Sequence, residues 1–392
     1  MGKMTFKFVK NDRHLWDINL DYADKNNDTS LFNSEGNIHP YPAKAVPEMV
    51  HDLLYKFKET YDIKNVLDPF VGSGTVALES KLLGLDFYGS DLNPLAVLLA
   101  QTKSLSIKGT PFIKRKLEEF IASISMNGME QSFFTLVSFY NIEYWFKEEN
   151  IKQLSYIKNC IKLFLKGLST GYRKAISLIV LTAFSATVRE SSLTRNDEFK
   201  LYRLSAADME KFNVNSIETF KKRITELINM IQDVNSALIG DAKSEVYLHN
   251  AKDLSYMGNT KVDLILTSPP YGDSQSTVAY GQFSRLSLQW MADLMQEFVD
   301  IKTEYNNCDE YLIGGKYSCN TITEDQINLV LSKSTTLRKL MNEIENLIKN
   351  EVMEFEGAIR RLSLFKQANK DNKDIIDFNS IFNDDLLSTK LI

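Results

Sequence analysis

Short apolar runs alternate with longer helical patterns along two parts of the chain. A buried strand is predicted by NVLDPF (65–70), and a glycine turn that opens a helix is predicted by GSGTVALESKLLGL (72–85). A second strand followed by a helix is predicted by DFYGSDLNP (86–94). Two later strands are predicted by VYLHN (246–250) and VDLIL (262–266). Strands joined by helices through short connections are typical of a parallel, doubly wound α/β sheet.

A block of helical patterns interrupts this alternation between the second and third predicted strands. Its apolar residues recur at helical spacing, and strand patterns resume only after it. We therefore expect a sheet domain in two halves, separated by a helical insertion and followed by a helical, weakly ordered tail. The expected boundaries are 1–105 for the N-terminal segment and first half, 106–236 for the insertion, 237–320 for the second half, and 321–392 for the tail.

Composition narrows the class of protein. The chain has 392 residues, of which 44% are apolar and 25% charged, as in ordinary soluble globular proteins. Three widely spaced cysteines predict reduced thiols and neither a disulfide framework nor a metal site. Neither a signal peptide nor a membrane span is predicted, so we expect a soluble, cytoplasmic protein with no membrane partner. A net charge of −5 neither indicates nor excludes binding to nucleic acid.

The glycine turn carries the first candidate chemistry. Gly72 and Gly74 fit a G-x-G-x-x-A pattern after a strand, and Asp91 ends the next strand. Such a turn fits any adenosine-containing cofactor, and a purely structural tight turn also remains open. Asp68 at the end of the first strand suits a cationic ligand better than the pyrophosphate of NAD, which it would repel. S-adenosylmethionine carries a sulfonium and an amino group, so the pattern favours it over a nicotinamide cofactor.

A second candidate site follows the fourth predicted strand, in Ser268, Pro269, Pro270 and Tyr271. Consecutive prolines stiffen the chain and leave its carbonyls free to accept hydrogen bonds. A side-chain oxygen and a carbonyl that accept both N–H bonds of an exocyclic base amine would localise its lone pair towards a methyl donor. An adjacent aromatic ring can stack on a base held outside the duplex. The alternative for this tetrapeptide is a rigid surface turn.

Together these motifs resemble those of the amino-methyltransferases of restriction–modification systems. DPFVGSGT (68–75) resembles their cofactor motif and TSPPY (267–271) their catalytic motif, while HPYPAK (39–44) and HNAKDL (249–254) resemble flanking motifs. The resemblance implies a class I, Rossmann-like methyltransferase sheet that binds S-adenosylmethionine. No metal is implied. The cofactor residues that it implies are Lys44, Asp68, Phe70, Gly72, Gly74, Thr75, Asp91 and Asp253.

The first catalytic residue bears on the target. Serine is usual in cytosine-N4 enzymes of this family, whereas Asp or Asn is usual in adenine-N6 enzymes. Ser268 therefore favours methylation of cytosine N4 in double-stranded DNA with a flipped base. Methylation of adenine N6 or of RNA stays open. A non-catalytic DNA-binding or regulatory subunit also stays open as an alternative. The family's usual Gly-Gly-led strand is missing after the helical tail, so we expect the sheet to lack its C-terminal part. Only IIDFNSIF (375–382) resembles a late strand. A restriction endonuclease or a complementing chain is the expected protein partner.

Basic residues in the insertion are the candidates for contact with DNA. Four of them cluster around a polar loop, and a fifth follows the catalytic motif, where packing against Trp290 is an equal alternative. The candidates are Arg189, Arg195, Lys200, Arg203 and Arg285.

Overall fold

The computed structural model describes most of the chain between residues 39 and 296. The described residues are 39–42, 45–107, 109–195, 200–268 and 279–296, with short pieces at 321–322, 332, 338–339, 342 and 376–377. The chain divides into two compact units. The first comprises Met1–Pro269 and Phe283–Asn306, and the second comprises Pro270–Gln282 and Asn307–Ile392.

A parallel sheet organises the first unit. Its described strands are β1 (Asn65–Asp68), β2 (Asp86–Asp91), β3 (Ser244–Leu248) and β4 (Leu264–Ile265), in the spatial order β3-β2-β1-β4. The sequence thus predicted the strands correctly, although β4 is shorter than the run VDLIL suggested. Single backbone bonds to β1 continue on both sides of it, from the amides of Asp263 and Leu266, and Oδ2 of Asp263 accepts from the amides of Lys64 (2.8 Å) and Asn65 (3.1 Å).

Helices cover the sheet and fill the long connection between β2 and β3. In the described residues they are α1 (Pro47–Tyr61), α2 (Thr75–Leu82), α3 (Pro94–Lys103), α4 (Thr110–Ser123), α5 (Met126–Gln131), α6 (Ile142–Trp145), α7 (Glu148–Lys166), α8 (Thr170–Glu190), α9 (Ala206–Lys211), α10 (Ser216–Ala237) and α11 (Tyr280–Met295). The helical insertion therefore lies where the sequence placed it. The four domain boundaries drawn from the sequence stay a prediction.

The core joins the insertion to the sheet. Helix α8 packs against α3, α7 and α10, and α3 in turn packs against β2 and β3. Trp290 on α11 is fully buried, and the rings of Phe146 and Phe184 meet it edge-on at centroid distances of 5.5 and 6.4 Å. Aromatic rings prefer this arrangement because the positive edge of one faces the negative face of the other. No described helix is long and apolar enough to cross a membrane.

The second unit contributes an antiparallel pair, β5 (Thr321–Ile322) and β6 (Ile376–Asp377). β6 lies within the run IIDFNSIF, which the sequence marked as a possible strand. Most of the tail, for which helix and weak order were expected, lies outside the described residues.

Candidate active site

The strand order creates a crevice between β1 and β4. From β1 the chain moves to β2 and β3 on one side, and it returns to the other side of β1 with β4. Open parallel sheets bind ligands at such a reversal, beyond the carboxyl ends of the strands. Asp68 ends β1 here, and Thr267 and Ser268 follow β4. The two sequence motifs therefore meet at one edge of the sheet.

A direct hydrogen bond joins the motifs. The Thr267 hydroxyl donates to Oδ1 of Asp68 at 2.6 Å, and the Phe70 amide donates to the same oxygen at 3.0 Å. Asp68 is only 2% exposed, and burial raises the pKa of its carboxyl to about 7, although both hydrogen bonds lower it. Among the described residues, neither a Lys nor an Arg forms an ion pair with Asp68. A buried carboxyl without a cationic partner is therefore open to a cationic ligand.

The two glycines of the turn have different tasks. Gly72 (φ +50°) donates its amide to Oδ2 of Asp91 at 2.9 Å, and a Cβ there would have ordinary contacts with the Tyr41 ring at 3.8 Å and the Phe70 carbonyl at 4.0 Å. Gly74 (φ +86°) precedes α2, and a Cβ there would lie 2.6 Å from the Cα of Ala100 on α3. Gly72 therefore leaves space between the turn and Tyr41, whereas Gly74 allows the close approach of α2 and α3. Thr75, the first residue of α2, is buried at 5% exposure.

Asp91 closes the turn and starts the next connection. Its Oδ2 accepts from Gly72, and its Oδ1 accepts from the amide of Asn93 at 2.8 Å. Burial raises the pKa of Asp91 to about 6 in spite of these bonds. Each carboxylate oxygen can accept more than one hydrogen bond. Its expected role as a ribose acceptor is compatible with these contacts and stays a prediction.

Sequence reasoning missed a polar network beside the turn. Asn93 caps α3 by accepting from the Leu95 amide, and its Nδ2 donates to the Tyr41 hydroxyl (3.2 Å) and to the Ser284 hydroxyl (2.7 Å). The dipeptide Asn93-Pro94 predicted the helix start, but nothing in it indicated a contact with Ser284, 191 residues away. This network holds Tyr41 over the open side of the glycine turn.

The segment after β3 carries the expected residue Asp253 and also Tyr256, which contacts β2. Asp253 is exposed, and its carboxylate accepts from the amide (2.9 Å) and the hydroxyl (3.0 Å) of Ser255, which lowers its pKa. Tyr256, which follows on a 3₁₀ turn (Ser255–Met257), instead donates to the Ser90 hydroxyl at 3.1 Å. Its pKa is raised by burial and by the charge of Asp68. The expected contact between Asp253 and adenine stays a prediction.

Five further expected site residues belong to the motifs TSPPY and HPYPAK. Ser268 is half-buried directly after Thr267. Lys44, Pro269, Pro270 and Tyr271 lie outside the described residues.

The structure contradicts the expectation that Arg189 contacts DNA. Its side chain is 1% exposed, and its guanidinium lies 4.0 Å from the centroid of the Phe283 ring. Its Nη1 donates weakly to the Phe283 carbonyl at 3.4 Å, while Nε and Nη2 have no hydrogen-bond partner among the described residues. The run AFSATV before it places Arg189 on the buried side of α8, which is apolar around most of its surface. Arg189 therefore belongs to the core.

The other basic candidates lie at or near the surface. An antiparallel bridge between Thr194 and Arg203 joins residues 193–195 to residues 200–204, and Arg195 is exposed. The Arg203 guanidinium lies 4.2 Å from the ring centroid of Tyr144, which is 46% exposed. Lys200 and Arg285 are half-buried. These four stay predicted DNA contacts.

Comparison with known proteins agrees with this architecture. The protein has a parallel sheet covered by helices, with a glycine turn and acidic strand ends at the point where the strand order reverses. This is the architecture of the Rossmann-like methyltransferases, so the expected fold class is confirmed. The family described as DNA methylase, N6_N4_Mtase, matches residues 5–102. A solved rRNA methyltransferase, aviRa from Streptomyces viridochromogenes, is 15% identical with a TM-score of 0.28 over 69% of this chain and 80% of that one, too low to add to the fold assignment.

Curated relatives define the family more closely. The chain is 34% identical to the type II methyltransferase M.MvaI of Kocuria varians over 331 residues, which span 81% of this chain and 69% of that protein. It is 21% identical to M.AvaI of Nostoc sp. over 80% of this chain and 65% of that protein. With M.BsoBI of Geobacillus stearothermophilus it is 26% identical, over 57% and 47% of the two chains. The chain belongs to the type II DNA methyltransferases of the N6/N4 family.

Proposed function

We propose that the chain transfers a methyl group from S-adenosylmethionine to the N4 amino group of cytosine in double-stranded DNA. The observation that carries the proposal is the 2.6 Å hydrogen bond between Thr267 and Asp68. It holds the start of the catalytic motif next to the buried carboxyl of the cofactor motif, as direct transfer between two bound ligands requires.

The residues at the crevice fit this cofactor. When bound, S-adenosylmethionine supplies a methyl group on a sulfonium and carries a second positive charge on its amino group. Asp68 offers a buried carboxyl without a cationic partner among the described residues, and Oδ2 accepts neither of its two hydrogen bonds. Asp91 offers lone pairs to the ribose hydroxyls, and Gly72 leaves the space beside them open. Lys44 is proposed to pair with the cofactor carboxylate.

The catalytic motif is proposed to prepare the base. Ser268 accepts one N–H bond of the cytosine amine, the Pro269 carbonyl accepts the other, and Tyr271 stacks on the flipped ring. Both acceptors favour a tetrahedral nitrogen whose lone pair points to the methyl group, so no covalent nucleophile is needed. Flipping costs a few kcal/mol of unstacking, which contacts to the DNA must offset.

The loop 193–204 is proposed as the main DNA-contacting element. Arg195 is exposed, and no carboxylate of the described residues pairs with the Arg203 guanidinium that lies on Tyr144. We expect Arg195→Ala to weaken DNA binding and to lower its salt dependence, because one phosphate contact is lost. The matched control is Arg115→Ala, which removes an exposed arginine paired with Glu119 on α4. Equal losses in the two variants would exclude this loop.

Product identification tests the target base. The purified chain is incubated with DNA and S-adenosylmethionine labelled in its methyl group, and the DNA is digested to nucleosides. Labelled N4-methylcytosine is expected, with none formed by Ser268→Ala. N6-methyladenine as the sole product would overturn the choice of base. Product that forms only when a second polypeptide is added would favour the alternative of a non-catalytic subunit.

A further inference from the structure

Backbone bonds and side-chain bonds together attach β4 to β1. The last ladder bond from this segment joins the Leu266 amide to the Leu67 carbonyl at 3.1 Å. Beyond it, the Thr267 hydroxyl bonded to Asp68 is the next described attachment to β1. At the opposite end of β4, the Asp263 carboxylate accepts from the amides of Lys64 and Asn65 at the start of β1. A strand of two residues has few backbone bonds of its own, so the direction in which the chain leaves β4 depends on Thr267.

The same hydrogen bond orients the Asp68 carboxyl. Thr267 and the Phe70 amide both donate to Oδ1, so they fix the plane of the carboxyl with Oδ2 free of them. The titratable groups that face it are Asp91 on β2 and Tyr256 after β3, and the charge of Asp91 disfavours a second negative charge nearby. Burial raises the pKa of Asp68, and the Thr267 bond opposes that rise because a hydroxyl donor stabilises the ionised form.

We propose that Thr267 is a positioning residue that couples the two halves of the site: its hydroxyl orients Asp68 towards the cofactor and fixes the start of the segment that carries Ser268. The inference rests on the proposed function. A hydrogen bond to an ionised carboxylate is stronger than one to a neutral carboxyl. A cationic ligand at Asp68 therefore strengthens the bond to Thr267, and binding of cofactor and of DNA favour each other.

The tests use Thr267→Val, which fills nearly the same space without a donor, and Thr267→Ser, which restores the hydroxyl. Affinity for S-adenosylmethionine is measured by calorimetry from pH 5.5 to 9. In Thr267→Val we expect the affinity at pH 7 to fall about tenfold and the pH at which binding reaches half its maximum to rise, since Asp68 becomes harder to ionise. Thr267→Ser should return both values towards those of the wild type. Thr225→Val, on an exposed face of α10, is the control for loss of a threonine hydroxyl.

A second measurement separates coupling from loss of folding. DNA affinity is measured with and without S-adenosylhomocysteine, and folding is checked by thermal melting. We expect the gain in DNA affinity on adding the ligand to shrink in Thr267→Val while the melting temperature stays within a few degrees. The inference is overturned if Thr267→Val changes neither the pH midpoint of S-adenosylmethionine binding nor the gain in DNA affinity on adding S-adenosylhomocysteine. This holds even where Asp68→Asn abolishes cofactor binding. A wild-type chain that binds no S-adenosylmethionine at any pH would instead overturn the proposed function.

Discussion

Gly74 offers a quantitative test of how the cofactor turn is built. An alanine Cβ at this position would lie 2.6 Å from the Cα and 2.8 Å from the Cβ of Ala100. These atoms belong to the framework of α3 and cannot swing aside as the end of a long side chain can. Ordinary contact distances begin at about 3.4 Å, so α3 must move by the difference of about 0.8 Å or the turn must distort.

The expected cost of Gly74→Ala has two parts. A φ of +86° is unfavourable for alanine by roughly 1–2 kcal/mol. Forcing α3 and the turn apart adds about 1–3 kcal/mol, as overpacking does elsewhere. The free energy of unfolding should therefore fall by about 2–5 kcal/mol. Gly240→Ala isolates the first part, because Gly240 has a φ of +72° and no atom within 4 Å of its Cβ position.

Urea denaturation of the wild type, Gly74→Ala and Gly240→Ala measures these two contributions to the free energy of unfolding. Gly240→Ala should lose roughly 1–2 kcal/mol and Gly74→Ala clearly more. If both variants lose the same free energy within about 0.5 kcal/mol, the close approach of α2 and α3 is not what requires Gly74. Gly72→Ala should resemble Gly240→Ala in stability, because its Cβ would have only an ordinary contact with Tyr41 at 3.8 Å.

Three further predictions concern buried polar groups. Burial raises the pKa of Asp68 from 3.8 to about 7, so its contribution to the stability of the unliganded chain is present below pH 4 and lost as the pH rises through 7. Between pH 5 and 8, the melting temperature of Asp68→Asn should therefore fall less than that of the wild type, and an equal fall in both proteins would contradict this. Asn93→Ala removes a helix cap and two buried bonds and should cost about 2–4 kcal/mol in urea unfolding; Asn93→Asp, which keeps the cap, should cost less. Arg189→Met should stay within about 1 kcal/mol of the wild type or exceed it, because no carboxylate in the described part of the chain pairs with the buried guanidinium; a loss above about 3 kcal/mol would refute this.

The sequence predicted the sheet well because its signals are local. A buried apolar run followed by a glycine turn, as at Asp68 and Gly72, predicts a strand end and a helix start without knowledge of the rest of the chain. The strands β1 to β4, the helices α2 and α3 and the position of the insertion were all predicted correctly in this way. The rule for parallel strands also predicted the edge of the sheet at which Asp68 and the segment after β4 lie, where Thr267 contacts Asp68.

Contacts between distant residues were not predictable in this way. Thr267 and Asp68 are 199 residues apart, and no local pattern indicated that the residue before Ser268 would donate to the carboxyl. Tyr256 was missed because its place depends on a single 3₁₀ turn. Arg189 was misassigned since a basic residue near a polar loop usually faces water, whereas here it ends a buried helix.

Helix α8 has a consequence for how such enzymes can change their recognition sequence. Residues from Ile176 to Val188 are almost wholly shielded, including the hydroxyls of Thr182 and Ser185. Substitutions there disturb the same interior that supports α3 and the glycine turn. On the proposed role of Arg195 and Arg203 in contacting DNA, changes at such surface residues would therefore disturb the core less than exchange of the whole helical block, because an exchanged block would also replace the residues that pack against α3.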